Sequence, residues 1–165
     1  GADIVIVNPT ETYGPGDHDF VTAGSLIEFA RSRLCLTCAG GTAIAHVDDV
    51  AAATEQALRA GERGTKTILG SENLSITELA RITRRHAGAS GPVIEVPGWS
   101  LRLAVDIAGA ASFGRLASRL TKYRYATRYW YYDCAPGLDA LGIRFRPASE
   151  TLADTVAWLK QIGRL

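Results

Sequence analysis

A short apolar run and the polar segment after it constrain the fold of this chain most. Residues 4–7 read "IVIV" and are apolar at successive positions, which predicts a parallel strand buried on both faces. The next segment, "NPTETYGPGDHD", starts at Asn8 and places two glycines around a proline, which is typical of a turn. Because ligands bind outside the carboxyl ends of parallel strands, the two segments predict an α/β fold with a ligand cleft at this loop.

Composition narrows the class of protein. The chain has 165 residues, of which 47% are hydrophobic, and its formal net charge is +1. That length suits one domain, and the balanced charge argues against nucleic acid as a partner. No apolar run reaches a membrane-spanning length, and three cysteines are an odd count for a secreted disulfide framework. We therefore predict a cytoplasmic protein with no membrane partner.

The sequence contains no methionine, so its first residue is not a translation start. The opening "GA" could be a cloning scar, or the chain could be a piece of something longer.

The rest of the chain alternates between helical and strand patterns. Apolar spacing predicts helices over residues 20–33 and 49–60 and short strands over residues 34–39 and 66–70. "GWSLRLAVDIAGAASF" predicts a buried helix rich in small residues, "YWYYD" is β-prone, and "ASETLADTVAWLKQIG" predicts a closing amphipathic helix. The inner face of that last helix holds Leu152, Val156 and Leu159.

The clearest helix start lies in "LSITEL". Ser75 is placed to cap the helix and Glu78 to reach back to it, which is the pattern of a capping box. The helix should run to about His86 and end at Gly88.

Several reactive residue types have structural interpretations. Cys35 and Cys38 form one CxxC in a predicted strand, without a second ligand pair, so we predict apolar packing and no metal site. Asp48 and Asp49 open a predicted helix, where aspartate caps the helix or complements its dipole. His46 precedes them at a strand end, where a lone histidine is more often structural.

The run "KYRYATRYWYY" interleaves Lys122, Arg124 and Arg128 with six aromatic residues. Such a run can stack single-stranded bases, but the neutral chain offers no other basic cluster. Aromatic residues that line a substrate pocket or pack in a core are the favoured interpretation.

Four segments in order carry a family resemblance: "IVIVNPTETYGPGD", "AHVDDVAAATEQAL", "TILGSENLSITEL" and "YYDCAPGLDALGIRFRPASETLADTVAWL". Together they resemble the C-terminal half of an extended short-chain dehydrogenase/reductase of the NAD-dependent epimerase/dehydratase family. "HVDDVA" and "GSENLS" are most similar to the dihydroflavonol-reductase-like enzymes, which include hopanoid-associated sugar epimerases.

The resemblance implies the C-terminal part of a Rossmann-type NAD(P)-binding fold plus a small substrate-binding subdomain. Residues 1–16 and 46–71 would complete the nucleotide-binding sheet, and residues 17–45 and 72–165 would form the substrate-binding part. The loop after the first strand would pass under the nicotinamide of NAD or NADP. The implied cofactor-binding residues are Pro9, Thr10, Thr22 and Ser25. The implied substrate-binding residues are Asn8, His18, Phe20 and Trp99.

Two departures from the family pattern limit what this chain can do alone. The glycine-rich pyrophosphate loop and the catalytic Tyr-x-x-x-Lys pair of the family are absent from the sequence, so we expect no catalytic residue here. Nucleotide-sugar epimerases of the family usually carry an arginine four residues before the "HV" histidine, where this chain has Thr42. Threonine lacks the charged fork that recognises a diphosphate, which favours a less charged carbonyl or alcohol substrate.

The resemblance therefore implies the substrate-side half of a reductase or epimerase that works by hydride transfer, inactive as an isolated chain. The alternative is a non-catalytic binding or scaffold remnant. The expected partners are a small-molecule substrate and either a missing N-terminal half or a second copy of the chain.

Overall fold

The computed structural model of the chain describes residues 3–97, 99, 100, 103 and 127–165. In chain order the elements are β1 Ile6–Pro9, β2 Glu11–Tyr13, α1 Ala23–Arg31, β3 Cys35–Cys38, β4 Gly41–His46, α2 Val47–Ala60, β5 Lys66–Leu69, β6 Asn73–Ser75, α3 Ile76–Ala87, β7 Val93–Val96, β8 Tyr129–Trp130, α4 Ala135–Leu141 and α5 Ala148–Gln161.

The strands form three small sheets. β1 pairs in parallel with β5, and β3 pairs in parallel with β7. β4 lies in the third sheet, parallel to β2 and β8 and antiparallel to β6. Only Thr10 separates β1 from β2, so the chain passes from one sheet to the next at that residue. The loop predicted after the first strand is therefore largely extended chain.

Two apolar clusters hold these layers together. The larger one joins α1, α3 and α5 to β2 and β4, and Leu26, Ile44, Leu79 and Leu152 are at its centre. The smaller one packs α2 and α4 against β5 through Ala53, Leu69 and Leu141. The inner face predicted for the last helix is confirmed, because Leu152, Val156 and Leu159 are all buried.

The strongest local signals are confirmed. The predicted α/β class holds, with mixed helices and parallel strand pairs. Ser75 and Glu78 form the capping box that starts α3, and Gly88 ends that helix in the left-handed conformation at φ 75°. Gly61 ends α2 as predicted.

Some boundaries were wrong. The first strand lies at Ile6–Pro9 and not at residues 4–7, so Asn8 and Pro9 belong to it. The helix predicted over residues 20–33 begins at Ala23, because Phe20 adopts a left-handed φ of 54° that a helix cannot continue through. The sequence patterns did not predict β6, β7 or α4. Most of the predicted small-residue helix in "GWSLRLAVDIAGAASF" lies outside the described residues, as do Lys122 and Arg124.

Candidate functional site

The candidate site lies at the carboxyl ends of β1 and β5, where the fold class places ligands. Pro9 and Leu69 are in register there, and the backbone N–H of Thr10 donates to the carbonyl of Leu69 at 2.8 Å. An open groove begins just beyond the end of β5. Its lining residues are Ser71, Asn73, Tyr131, Tyr132, Asp133, Cys134 and Ala135.

A tight contact joins the end of β1 to this groove. A Cβ built on Gly70 would lie 2.7 Å from Cys134 Sγ and 2.8 Å from Thr10 Oγ1, so only glycine fits between them. The Thr10 hydroxyl oxygen is fully buried and has no hydrogen-bond partner among the described residues. Since an unsatisfied buried hydroxyl is costly, Thr10 is suited to bond a water or a ligand at this point.

Asn73 fixes the aromatic side of the groove. Its Nδ2 donates to the Tyr132 carbonyl at 3.0 Å, and its Oδ1 accepts from the Tyr132 N–H at 3.1 Å. The side-chain amide of Asn73 thus makes the same two hydrogen bonds to the backbone of Tyr132 that a residue in a neighbouring β-strand would make. Ser71 adds a second tie, because its hydroxyl donates to the Arg146 carbonyl at 2.6 Å.

Four consecutive aromatic side chains, at positions 129 to 132, are exposed along this edge. Tyr129 and Tyr131 meet edge to face at 5.3 Å between ring centroids, and Tyr131 packs over Gly41. Desolvation, followed by the charge of Glu78, raises the pKa of Tyr131, so its hydroxyl is neutral near pH 7. Exposed ring faces beside polar groups favour a ligand that has a ring or an apolar face of its own.

The N-terminus of α1 is closed by Asp17. Its carboxylate accepts backbone N–H groups from Val21, Thr22 and Ala23 at 2.9–3.0 Å. The Thr22 hydroxyl donates to the Thr12 carbonyl at 2.8 Å, and the Ser25 hydroxyl donates to the Thr22 carbonyl at 2.8 Å. Thr22 and Ser25, which the family resemblance implies for cofactor binding, lie at the start of α1, and their hydroxyl protons already serve internal bonds.

The other predicted substrate residues separate into two places. His18 and Phe20 both contact Trp158 of α5, at 5.8 and 6.4 Å between ring centroids. Arg164 lies 4.9 Å from the centroid of the Phe20 ring, so these residues form an aromatic cluster against the last helix. Trp99 is 69% exposed, and no ring contact links it to that cluster among the described residues.

Of the two roles predicted for Asp48 and Asp49, capping of α2 is wrong for both residues. The N-cap is His46, whose Nδ1 accepts the Asp48 N–H at 3.1 Å, so the predicted structural role of that histidine holds. Asp49 instead binds Arg146 in the loop before α5: it accepts from Nη2 at 2.9 Å, from Nε at 3.1 Å and from the backbone N–H at 2.9 Å. Both aspartates still lie in the first turn, where the helix dipole favours them.

The apolar packing predicted for Cys35 and Cys38 is confirmed, since both side chains are buried. Cys35 and Cys38 lie in β3 and Cys134 in the groove wall, and all three are buried free thiols. Desolvation raises the pKa of each thiol, which keeps it protonated and unreactive. Within the described part of the chain no cluster of histidine, cysteine, aspartate or glutamate could hold a metal ion.

We compared the chain with known protein families, sequences and structures. No family model matches the chain. The chain is 32% identical over 171 residues to a putative dihydroflavonol 4-reductase from Synechocystis, and the match covers 99% of the chain and 50% of that protein. It also superposes on the crystal structure of gox2253 with a TM-score of 0.80 and 29% identity, covering 98% of this chain and 50% of that one.

The chain also superposes on PA4631, a nucleoside-diphosphate-sugar epimerase from Pseudomonas aeruginosa, with a TM-score of 0.76 and 19% identity. The match covers 100% of this chain and 50% of that one. These findings confirm the resemblance to the NAD-dependent epimerase/dehydratase family of short-chain dehydrogenases/reductases. More particularly, the chain is similar to a dihydroflavonol-4-reductase-like protein, and it spans about half the length of the relatives it matches.

Two further structures of the same fold carry cofactors. RMD from Pseudomonas aeruginosa was solved with NADPH, and WbmG from Bordetella bronchiseptica with NAD and UDP. Their identities to this chain are 18% and 16%, so they support the fold. No helix in the described residues has the length and apolar character needed to cross a membrane.

Proposed function

We propose that this chain is the substrate-side half of an NAD(P)-dependent reductase or epimerase that acts on a carbonyl or hydroxyl carbon. One observation carries the proposal: at the carboxyl end of β1 the Thr10 hydroxyl has no hydrogen-bond partner among the described residues, and it lies next to Gly70, one residue before the groove begins at Ser71. The similarity to a putative dihydroflavonol 4-reductase supports the same chemistry. We place this protein in the cytoplasm, as its cysteine use suggests.

The end of β1 fits one part of the cofactor. Pro9 is exposed and rigid, which suits it to lie against a flat nicotinamide ring, and Thr10 would bond to the ring's amide or to the substrate. Asn8 is exposed beside them and offers both a donor and an acceptor. When bound, NAD(P) supplies a hydride to the substrate carbon or takes one from it.

The groove would hold the substrate. Asn73 holds the backbone of Tyr132 through two hydrogen bonds, so this part of the groove wall is ordered before a ligand arrives. Preordered contacts of this kind reduce the entropy cost of binding. His18, Phe20 and Trp99 remain proposed substrate contacts, and Thr22 and Ser25 remain proposed supports near the cofactor.

A second candidate is a non-catalytic binding or scaffold remnant of the same family. The observation that favours it is the absence of both the phosphate-binding loop and the Tyr-x-x-x-Lys pair from the sequence. The sequence encoded before Gly1 separates the two. A GxxGxxG and a Tyr-x-x-x-Lys encoded there support the enzyme, and a start codon next to Gly1 supports the remnant.

The isolated chain should neither bind dinucleotide tightly nor turn over substrate, because a phosphate-cradling loop and a catalytic acid are both missing. Fluorescence titration with NADH and NADPH tests this, and low-micromolar binding by the 165-residue chain would contradict it.

In the intact protein, Thr10→Val should lower kcat/KM for NAD(P)H-dependent carbonyl reduction by about 10- to 100-fold, the usual range for losing one hydrogen bond to a polar group. Thr10→Ser keeps the hydroxyl and is the matched control. Equal activity of the two variants would remove Thr10 from the site.

A further inference from the structure

The groove beyond β5 is acidic as well as aromatic. Among the described residues that line it, Asp133 carries the one charged side chain, and that side chain is exposed. Its Oδ1 accepts the backbone N–H of Ala135 at 3.2 Å. No cation among the described residues forms an ion pair with this carboxylate. The groove therefore holds a negative charge that the described part of the chain does not neutralise.

Two other groove residues experience the same sign of charge. Desolvation raises the pKa of the Cys134 thiol, and the charge of Asp133 raises it further. Desolvation, followed by Glu78 and Tyr129, raises the pKa of Tyr131. A nearby cation would lower both pKa values, and no described residue acts in that direction on either group. The electrostatic potential is therefore negative on both sides of the groove.

Arg146 touches the groove only through its backbone. Its carbonyl accepts from the Ser71 hydroxyl at 2.6 Å. Its guanidinium faces the other way and is paired with Asp49 at 2.9 Å and Asp154 at 3.3 Å. Arg146 therefore offers no free positive charge to a ligand in the groove.

Two further arginines lie near the groove residues along the chain, and neither lines the groove. Arg128 precedes β8 and is exposed. Arg81 is an exposed residue of α3 that acts on Glu78, whose pKa is lowered first by hydrogen bonds from Ser75 and then by the charge of Arg81. The pKa of Tyr131 does not respond to either arginine.

The aromatic wall adds a second attraction for a cation. Tyr131 and Tyr132 are both exposed in the groove, and Asn73 holds the backbone of Tyr132 through two hydrogen bonds. The face of an aromatic ring attracts a cation through the ring quadrupole, and aromatic faces recognise quaternary ammonium groups in this way. A carboxylate beside such rings strengthens the attraction.

The acidic part of the groove lies close to the end of β1. Cys134 Sγ and Thr10 Oγ1 are both within 2.8 Å of the point that a Cβ on Gly70 would occupy. Asp133 directly precedes Cys134, and the Cα atoms of consecutive residues are about 3.8 Å apart. A small molecule can therefore reach both the Thr10 hydroxyl and the Asp133 carboxylate.

We propose that the groove selects a substrate that carries a positive charge. An ammonium or quaternary ammonium group binds at Asp133 and at the rings of Tyr131 and Tyr132, and the carbonyl or hydroxyl carbon of the same molecule points toward Thr10. The inference rests on the proposed function and deepens it by naming the substrate class. An anionic substrate meets the same negative potential and is disfavoured.

The test compares two probes of the same shape on the intact protein. Choline carries a quaternary ammonium group, and 3,3-dimethyl-1-butanol is its uncharged isostere. An NMR titration that follows the ring protons of Tyr131 and Tyr132 should show saturable binding of choline, at least about threefold tighter than that of the isostere. Equal affinity for the two probes, or no saturable binding of choline, overturns the inference.

Asp133→Asn localises the effect. Asparagine keeps an oxygen that can accept the Ala135 N–H, so the variant should unfold at the wild-type temperature and lose most of the preference for choline. Asp139→Asn is the matched control, because it removes an exposed acid of α4 that does not line the groove, and it should keep the wild-type preference. An equal loss in both variants overturns the inference, since net charge and not the groove would then set the preference.

Failure of the proposed function gives a different result. NAD(P)-dependent turnover of uncharged carbonyls, without any preference for choline over its isostere, would overturn the inference and leave the proposed function standing. A preference for choline that depends on Asp133, without NAD(P)-dependent turnover of any carbonyl or alcohol, would keep the cation site and overturn the proposed function.

Discussion

Asp49 shows how a single residue can link distant parts of this chain. The side chain of Asp49 is 15% exposed. Its carboxylate accepts hydrogen bonds from both the guanidinium and the backbone N–H of Arg146, which lies 97 residues later in the sequence. Asp48, its neighbour, is 73% exposed. The two aspartates look alike in sequence, but only one has a long-range partner.

Asp49→Asn should therefore lower the free energy of unfolding by about 1.5–3 kcal/mol, the usual contribution of hydrogen bonds to charged groups. Asparagine retains one acceptor oxygen but loses the charge that the Arg146 guanidinium faces. Asp48→Asn is the matched control and should change stability by less than about 0.5 kcal/mol. Urea unfolding measures both, and equal effects would mean that the aspartates act through the helix dipole alone.

Asp17 makes stability depend on pH in a known direction. Its pKa is lowered in the folded chain, so its contribution is fully present above the unfolded value of about 3.9 and is lost as the pH falls through the lower, folded value. The free energy of unfolding of wild type should fall more steeply below about pH 4 than that of Asp17→Asn. Asp19→Asn should keep the wild-type slope, and a parallel pair of curves for wild type and Asp17→Asn would contradict the account.

Sequence patterns could predict a side-chain contact when the two partners are close along the chain. Ser75 finds Glu78 three residues away, and a capping box is readable for that reason. The partner of Asp49 and the contact of Phe20 with Trp158 depend on how distant elements pack, so no local signal predicts them. The role of Asp17 was hidden too, because its loop reaches α1 only through the unusual conformation of Phe20.

At the scale of elements, the sequence predicted best those helices that have both a clear apolar periodicity and residues that mark where the helix ends. α3 has a capping box and a C-terminal glycine, and its position was predicted within one or two residues. β7 and α4 were not predicted, because each is short and lacks such signals: β7 has four residues and α4 begins with Ala-Pro-Gly. These elements gain their stability from packing, β7 against β3 and α4 against β5.

Two glycines, Gly88 at the end of α3 and Gly24 in the first turn of α1, allow the backbone conformation at these positions to be tested. Gly88 ends α3 at φ 75° with open space where a Cβ would be, so Gly88→Ala should cost about 1–2 kcal/mol from backbone strain alone. Gly24 lies inside α1, and its Cβ would make only an ordinary contact with Phe20 at 3.7 Å. Gly24→Ala should therefore stabilise the chain by about 0.5–1 kcal/mol.

Thermal or urea unfolding of the two glycine variants should give opposite signs. Gly88→Asn, which tolerates the left-handed conformation better, should cost less than Gly88→Ala. Destabilisation by Gly24→Ala would show that α1 is not regular at its start.

At the scale of the whole molecule, the β1–β5 pair is incompletely covered by the described residues. One edge of β1 pairs with β5, and no other described strand pairs with it. Ile4 and Ile6 are 54% and 39% exposed, although the apolar run predicts a strand covered on both faces. The apolar pattern predicts neighbouring elements on both faces of β1, and the described residues do not supply them. The chain spans about half the length of the relatives it matches.

An apolar strand with an open edge is a template for pairing with another chain. We therefore expect the 165-residue chain to self-associate through this segment at micromolar concentration, or to require an N-terminal half added in trans to stay monomeric. Ile6→Lys places a charge on the exposed strand and should shift the oligomer toward monomer, while Leu58→Lys, on the exposed face of α2, should not. Size-exclusion chromatography with light scattering measures this. A clean wild-type monomer whose β1 amides are protected from hydrogen exchange would mean that the chain closes its own sheet and needs no partner there.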